Sequence, residues 1–230
     1  MLEFVVEGAT PKKLRFEVKK FLNMGRTARD ITQIQKHIEE LKKAGIASVL
    51  TGIPLYFPKV PDRITTDDTV YVLPNSKTCG EVEYVILIDR DEIYVTVGSD
   101  HCDRELEKQS IPLAKLICPN VVAPKVWRYE EVKKNWDEIA IRAWVETEGQ
   151  RKLYQETKLA TMLRPEEVIE KVKTRVVGDL QGTVIFAGTP PIVDGKLSFH
   201  SHFEMEMVDE RGGRSIRWAY STQPLTWFKE

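Results

Sequence analysis

The sequence lacks any apolar run near the ~18 residues that a membrane-spanning helix needs. It also lacks an excess charge. Its 34 Lys and Arg stand against 35 Asp and Glu, a formal net charge of −1 over 230 residues. A protein built to neutralise phosphates carries a basic excess, so this balance argues against a nucleic-acid partner. Cysteine is scarce. Cys79, Cys102 and Cys118 make an odd count with no Cys-x-x-Cys pair, which argues against a disulfide framework or structural zinc and suits the cytoplasm. No segment repeats or is of low complexity. The opening MLEFVVEGATPKK sets acids before bases and holds no long apolar core, so it does not read as a signal peptide. What remains is an ordinary globular mixture, 42% hydrophobic and 30% charged. Its length suits one domain, or one with a small appendage.

Residue patterning predicts a β-hairpin from strands at 2–7 and 14–18, turning at Gly8-Ala9-Thr10-Pro11. A helix follows over 30–44, where Ile31, Ile34, Ile38 and Leu41 recur every three or four positions and Gly45 supplies a stop. Residues 51–66 read as a loop, since Pro54, Pro58 and Pro61 disfavour long regular structure. Strands are expected over 70–73, 81–88 and 93–97, and a short helix over 129–138. A hairpin over 139–146 and 152–160 comes next, then a helix opened by Pro165 and running to about 176. Strands at 182–187, 197–208 and 215–220 end the chain. Strands do not alternate regularly with helices, so the fold class is α+β and β-rich, not a doubly wound parallel sheet.

The segment richest in chemistry is Gly80-Glu81-Val82-Glu83 followed by Gly98-Ser99-Asp100-His101-Cys102-Asp103-Arg104. Residues i and i+2 of a strand share a face, so Glu81 and Glu83 present two carboxylates to one side. The next antiparallel strand delivers Asp100 to the same neighbourhood. Like charges so placed repel unless a cation or proton sits between them. Three converging carboxylates suit a hard divalent cation: Mg²⁺, Mn²⁺ or Ca²⁺. The plain alternatives are a solvated pair on an amphipathic strand and a turn-forming Asp. His37 and Glu40 lie i and i+3 on the expected helix. A carboxylate beside an imidazole raises its basicity, as a general base acting on water requires. The alternative there is a solvated face among Lys36, Glu39, Lys42 and Lys43. His101 adjoins Asp100 but points away in an extended chain, which favours an orienting role over a ligand role. Asp103 has a similar standing, with Arg104 or Arg128 as partners. Cys102 and Cys118 read as small buried hydrophobes. Trp127, Trp136 and Trp144 read as core or dimer interface.

Taken in order, Gly25-Arg26, His37-Ile38-Glu39-Glu40, Tyr56-Phe57-Pro58-Lys59, Glu81 and Glu83, Asp100 and Arg104, Lys115 with Cys118-Pro119, and Gly182-Thr183-Val184-Ile185-Phe186-Ala187-Gly188-Thr189-Pro190 form a series. This series resembles the fumarylacetoacetate hydrolase superfamily, in a prokaryotic branch labelled only as a domain of unknown function. The resemblance covers the chain from about Gly25 onward. It implies a mixed β-sandwich roll of the fumarylacetoacetase type with a small N-terminal lid segment. Residues 1–75 would form that lid segment and 76–230 the metal-binding roll, as one structural unit. It also implies a cytoplasmic homodimer using Mg²⁺ or Mn²⁺. Glu81, Glu83 and Asp100 would be the metal ligands. Arg104, Lys115, Gly188 and Thr189 would hold the substrate, and His37, Glu40 and Lys115 would be catalytic. The chain departs from the family pattern in four places. The stretch before His37 is longer, the spacings from Glu83 to Asp100 and from Asp100 to Lys115 are shorter, Thr183 replaces an Asp, and Pro191-Ile192-Val193-Asp194-Gly195 replaces Gly-Val-Gly.

The implied activity is a divalent-metal-dependent hydrolase. It would cleave a carbon–carbon bond in a small, acylpyruvate-like 2-oxo acid through a metal-stabilised enolate. The alternatives are a decarboxylase, hydratase or isomerase on the same site, or a pseudoenzyme that binds metal and metabolite without turnover.

Overall fold

The structure, a computed structural model, describes residues 1–32, 34, 35, 52–147 and 149–227. Among these residues two large mixed sheets face each other. The first runs β2 (Lys12–Phe16), β1 (Leu2–Val6), β12 (Lys125–Arg128), β9 (Glu92–Asp100), β8 (Val82–Asp89), β15 (Thr183–Phe186), β3 (Lys20–Gly25) and β4 (Leu55–Lys59). At its side β11 (Asn120–Val122) pairs with β9 and with the short β5 (Ile64–Thr65). The second runs β14 (Gln150–Lys158), β13 (Ala140–Thr147), β16 (His202–Asp209), β17 (Arg214–Pro224) and β6 (Thr69–Val72). A small ladder joins β7 (Thr78–Cys79) to β10 (Cys102–Asp103). Parallel pairs (β1 with β12, β3 with β15, β6 with β17) sit among antiparallel ones. This is the expected β-rich sandwich. No helix among the described residues is long and apolar enough to cross a membrane.

Strand β8 shows why its sequence reads as a near-continuous apolar run. Val82, Tyr84, Ile86 and Ile88 face Ile141, Ala143, Phe203 and Met205 of the second sheet. Val85 and Leu87 face the opposite way, into a cluster with Phe4 and Phe16 of the first hairpin. A strand covered on both faces needs apolar side chains at both parities. The odd-numbered face ends in Glu83, and there the apolar layer gives way to a polar one.

Several expectations change. The loop expected over 51–66 contains β4 and β5. Pro58 is tolerated because β4 is the outermost strand of its sheet's order, where a missing N–H need break no ladder bond. The expected strand over 197–208 begins only at His202. The expected helix over 129–138 is α3 (Tyr129–Val132) followed by a 3₁₀ turn, Lys133–Glu138. The helix opened by Pro165 is α4 (Pro165–Lys173). Two helices were not anticipated: α1 (Arg104–Gln109) and α2 (Ile111–Ile117). Asp103, expected to pair with Arg104 or Arg128, caps α1 by accepting from the Glu105 and Leu106 N–H groups at 2.8 and 3.2 Å. Residues 31, 32, 34 and 35 are helical. His37 and Glu40 lie outside the described residues.

Candidate active site

Pairing register places the acids. Across β8 and β9, Glu83 is opposite Gly98, and the Asp100 N–H donates to the Glu81 carbonyl at 2.9 Å. Glu81, Glu83 and Asp100 therefore lie on one face at one end of the strand pair. A carboxylate oxygen from each falls within 4.8 Å of the others. Gly98 leaves that crossing open for the Phe186 ring, which would stand 2.6 Å from any Cβ there.

Cations converge on the same point. Helix α2 brings Lys115, whose Nζ lies 2.5 Å from Asp100 Oδ2, 3.1 Å from Glu81 Oε2 and 3.0 Å from Glu107 Oε1. Arg104 opens α1 and donates to Glu81 Oε1 at 2.7 Å. It also bonds Glu107 and reaches Cys79 Sγ at 3.0 Å. Lys59 on β4 points in from the far side, fully buried. Its Nζ donates to the Cys118 carbonyl at 2.8 Å and lies 3.9 Å from Asp100 Oδ1.

The two glutamates differ sharply. Burial pushes Glu81 up, but Lys115 and Arg104 outweigh it and hold the carboxyl at about 2. Glu83 has no such partner. Burial, with Asp100 and Glu81 beside it, pushes its carboxyl well above the usual range. Among the described residues its one close donor is the Gly188 N–H, 2.8 Å from Oε2. Burial works against a charge on Lys115, yet Asp100, Glu81 and Glu107 reverse that and raise it well above the ordinary lysine value. Burial pushes Lys59 down, with Asp100 pulling against it.

Gly188 is held at φ +92° in the turn after β15. Its neighbour Thr189 accepts a 2.7 Å bond from Gln155 Nε2. Gln155 Oε1 takes the Val82 N–H at 2.9 Å, so β14 of the second sheet is tied to the start of β8. A cleft of about 540 Å³ opens onto Glu81, Arg104, Gln155 and Thr189, and is also lined by Arg26, Thr27, Ile34, Tyr154 and Pro190. The structure thus brings together Glu81, Glu83, Asp100, Arg104, Lys115, Gly188 and Thr189. Sequence reasoning missed Lys59 and Glu107. Glu107 carried a readable signal, since an Asp cap followed by acids in the first turn marks a helix start and sets Glu107 on the face of Arg104. Lys59 stands only within the Tyr56-Phe57-Pro58-Lys59 motif of the resemblance, with no role of its own.

His101 faces away from the acids. Its Nδ1 shares a 2.9 Å bond with the Tyr220 hydroxyl, which is also 2.9 Å from Ser99 Oγ. Nearby His200 stacks on Phe203 and takes the Gly80 N–H on Nε2 at 3.5 Å. Burial pushes His101 down to about 3 and His200 to about 4. Both values lie below the ordinary imidazole value of 6.5, so both rings stay neutral in the folded chain and gain a proton on unfolding. The stability this protects is full above about pH 6.5 and is lost as pH falls towards 4. His200→Gln, which keeps an acceptor for Gly80, is expected to flatten the acid limb of stability by up to about 1.4 kcal/mol per pH unit. Urea titrations at pH 7, 6 and 5 measure this, and unchanged slopes would refute it.

The sequence profile of the family described as "Protein of unknown function (DUF2848)" matches residues 24–220. The chain belongs to that family. Among curated proteins, none matches. Solved structures share its fold. A candidate fumarylpyruvate hydrolase from Burkholderia cenocepacia superposes with a TM-score of 0.65 at 20% identity, covering 97% of this chain and 91% of its own. A fumarylacetoacetate hydrolase family protein of yeast gives 0.63 at 17%, covering 90% and 94%. A 2-keto-3-deoxy-D-arabinonate dehydratase, complexed with magnesium and 2,5-dioxopentanoate, gives 0.62 at 18%, covering 95% and 78%. The chain has the fumarylacetoacetate hydrolase fold.

Proposed function

We propose that this protein is a divalent-metal-dependent enzyme of small 2-oxo acids, and that it hydrolyses a carbon–carbon bond in an acylpyruvate-like substrate. The observation that carries the reading is the meeting of Glu81, Glu83 and Asp100 beside Lys115, next to the cleft that Glu81 lines. The acids fit Mg²⁺ or Mn²⁺: their oxygens lie within 4.8 Å of one another. Asp100 Oδ1 is buried without a hydrogen-bond partner among the described residues, and Glu83 is crowded by like charge. Such an all-oxygen donor set suits a hard cation. A cation held there supplies Lewis acidity, polarising a carbonyl oxygen and steadying negative charge that develops on it.

The chain's own groups do the rest. Lys115, set against Asp100, Glu81 and Glu107, brings positive charge to the place where the carbonyl oxygen would gain negative charge. Arg104 and Thr189 line the cleft and orient the bound acid. His37 with Glu40, as the resemblance implies, would take a proton from water as it adds to the carbonyl remote from the carboxylate. The bond between that carbonyl and the carbon next to the 2-oxo group then breaks. Its electron pair stays on that carbon, which a proton later quenches. A second reading, a dehydratase on the same site, is favoured by the magnesium-complexed 2-keto-3-deoxy-D-arabinonate dehydratase among the similar folds.

The test has two parts. Protein stripped with chelator is expected to melt higher with added Mg²⁺ or Mn²⁺. Glu83→Gln, which keeps the acceptor for Gly188, is expected to lose that response yet melt at or above the wild-type apo temperature, because the crowded third acid is gone. No metal response in the wild type would overturn the reading. Acylpyruvates, oxaloacetate and 2-oxo-4-enoates are then screened with each metal. His37→Ala is expected to lower hydrolysis by about 10²–10⁴-fold; unchanged turnover would rule out His37 as the base that activates water.

A further inference from the structure

We propose that Glu107 sets the charge of the substrate, selecting 2-oxo acids that carry one negative charge over those that carry two. This rests on the site being a 2-oxo acid site, as above. Glu107 lies on α1, three residues after Arg104, with its side chain only 12% exposed. One of its oxygens takes Arg104 Nη1 and the other takes Lys115 Nζ at 3.0 Å. Arg104 and Lys115 are also the cations that reach Glu81. Each therefore gives a donor to a carboxylate of the chain itself, and that donor is closed to a carboxylate on the far end of a substrate.

Formal charge points the same way. Behind the Glu81 and Arg104 side chains that line the cleft, the ion cluster sets Glu81, Glu83, Asp100 and Glu107 against Lys59, Arg104 and Lys115, four acids against three bases. A divalent cation turns this deficit into a single positive charge, which one carboxylate neutralises. A second carboxylate would leave an unmatched anion where burial makes it costly. With Gln at 107 the site would carry one more positive charge, and either Arg104 or Lys115 would have a donor free to meet a dianion.

The probes are 2-oxopentanoate and 2-oxoglutarate. They share a chelating head and a chain length and differ in a terminal methyl against a carboxylate. Affinities are read by calorimetry on Mg²⁺-loaded protein at fixed free Mg²⁺. The wild type is expected to bind 2-oxopentanoate about tenfold tighter. Glu107→Gln is expected to move that ratio about tenfold towards 2-oxoglutarate, and Glu107→Asp, which keeps the charge, to leave it near the wild-type value. A role confined to holding Arg104 in place would move both variants alike, and that result overturns the inference. So does a wild type that binds 2-oxoglutarate as tightly as 2-oxopentanoate. If neither acid binds the Mg²⁺-loaded wild type, the reading of the site itself falls.

Discussion

Replacing Lys115 with methionine is expected to cost the metal-free chain about 3–5 kcal/mol, the usual range for removing one member of a buried ion cluster. The aliphatic stem packs much as before, so the loss is almost wholly electrostatic. Lys115 is the one described cation within 3.1 Å of both Glu81 and Asp100, and it also holds Glu107 at 3.0 Å. Without it, Asp100 keeps only Lys59 at 3.9 Å, and burial works against the charge on that lysine. The deficit should shrink when Mg²⁺ is added, because the cation then supplies the neutralising charge. The increment from Mg²⁺ should therefore exceed that in the wild type. Urea denaturation with chelator and with excess Mg²⁺ measures both quantities. A loss below about 1 kcal/mol in chelator would mean that these acids are paired in some other way.

Gly188→Ala is the second large effect, expected at about 2–5 kcal/mol. At φ +92° an L side chain is strained, and this value lies well beyond the left-handed helical well. A Cβ there would stand 2.2 Å from Thr27 Oγ1. That hydroxyl is already committed, donating to the Ala187 carbonyl at 2.5 Å in a buried setting. Either the turn or Thr27 must shift. A shifted turn withdraws the N–H that steadies Glu83, so weaker metal binding should accompany the loss of stability. The double variant Thr27→Ser/Gly188→Ala, which leaves the hydroxyl in place, should recover little. A Gly188→Ala chain with wild-type stability and wild-type Mg²⁺ response would show that the turn has another course.

The legible part of this fold is the part governed by local periodicity. The apolar runs of β8 and β9 and the i, i+2 spacing of Glu81 and Glu83 are local features, and the facing acids came with them. The unread part was set by tertiary context. Pro58 masked a strand because an edge position excuses a missing N–H. The two short helices after Asp103 are too brief to show a period, and only the Asp103 and Ser110 caps mark them. Lys59 was invisible as a site residue because its role depends on β3 pairing, which sets it opposite Phe21 and over that ring at 5.5 Å. The charge pattern could reveal a knot of acids but not which bases faced it.

Some of the bonds that frame the site span long stretches of sequence. Val82 meets Gln155 across 73 residues, Glu83 meets Gly188 across 105, and Ser99 meets Tyr220 across 121. Contacts so distant form late, after most loop-closure entropy has been spent. The three acids also leave the ribosome well before Gly188 and Tyr220 are made. Until then Glu83 lacks the Gly188 N–H that steadies it. On the proposed reading, full metal affinity is thus expected only once that turn is in place. It emerges near the end of folding, and a fluorescent reporter of metal uptake during refolding would time that completion.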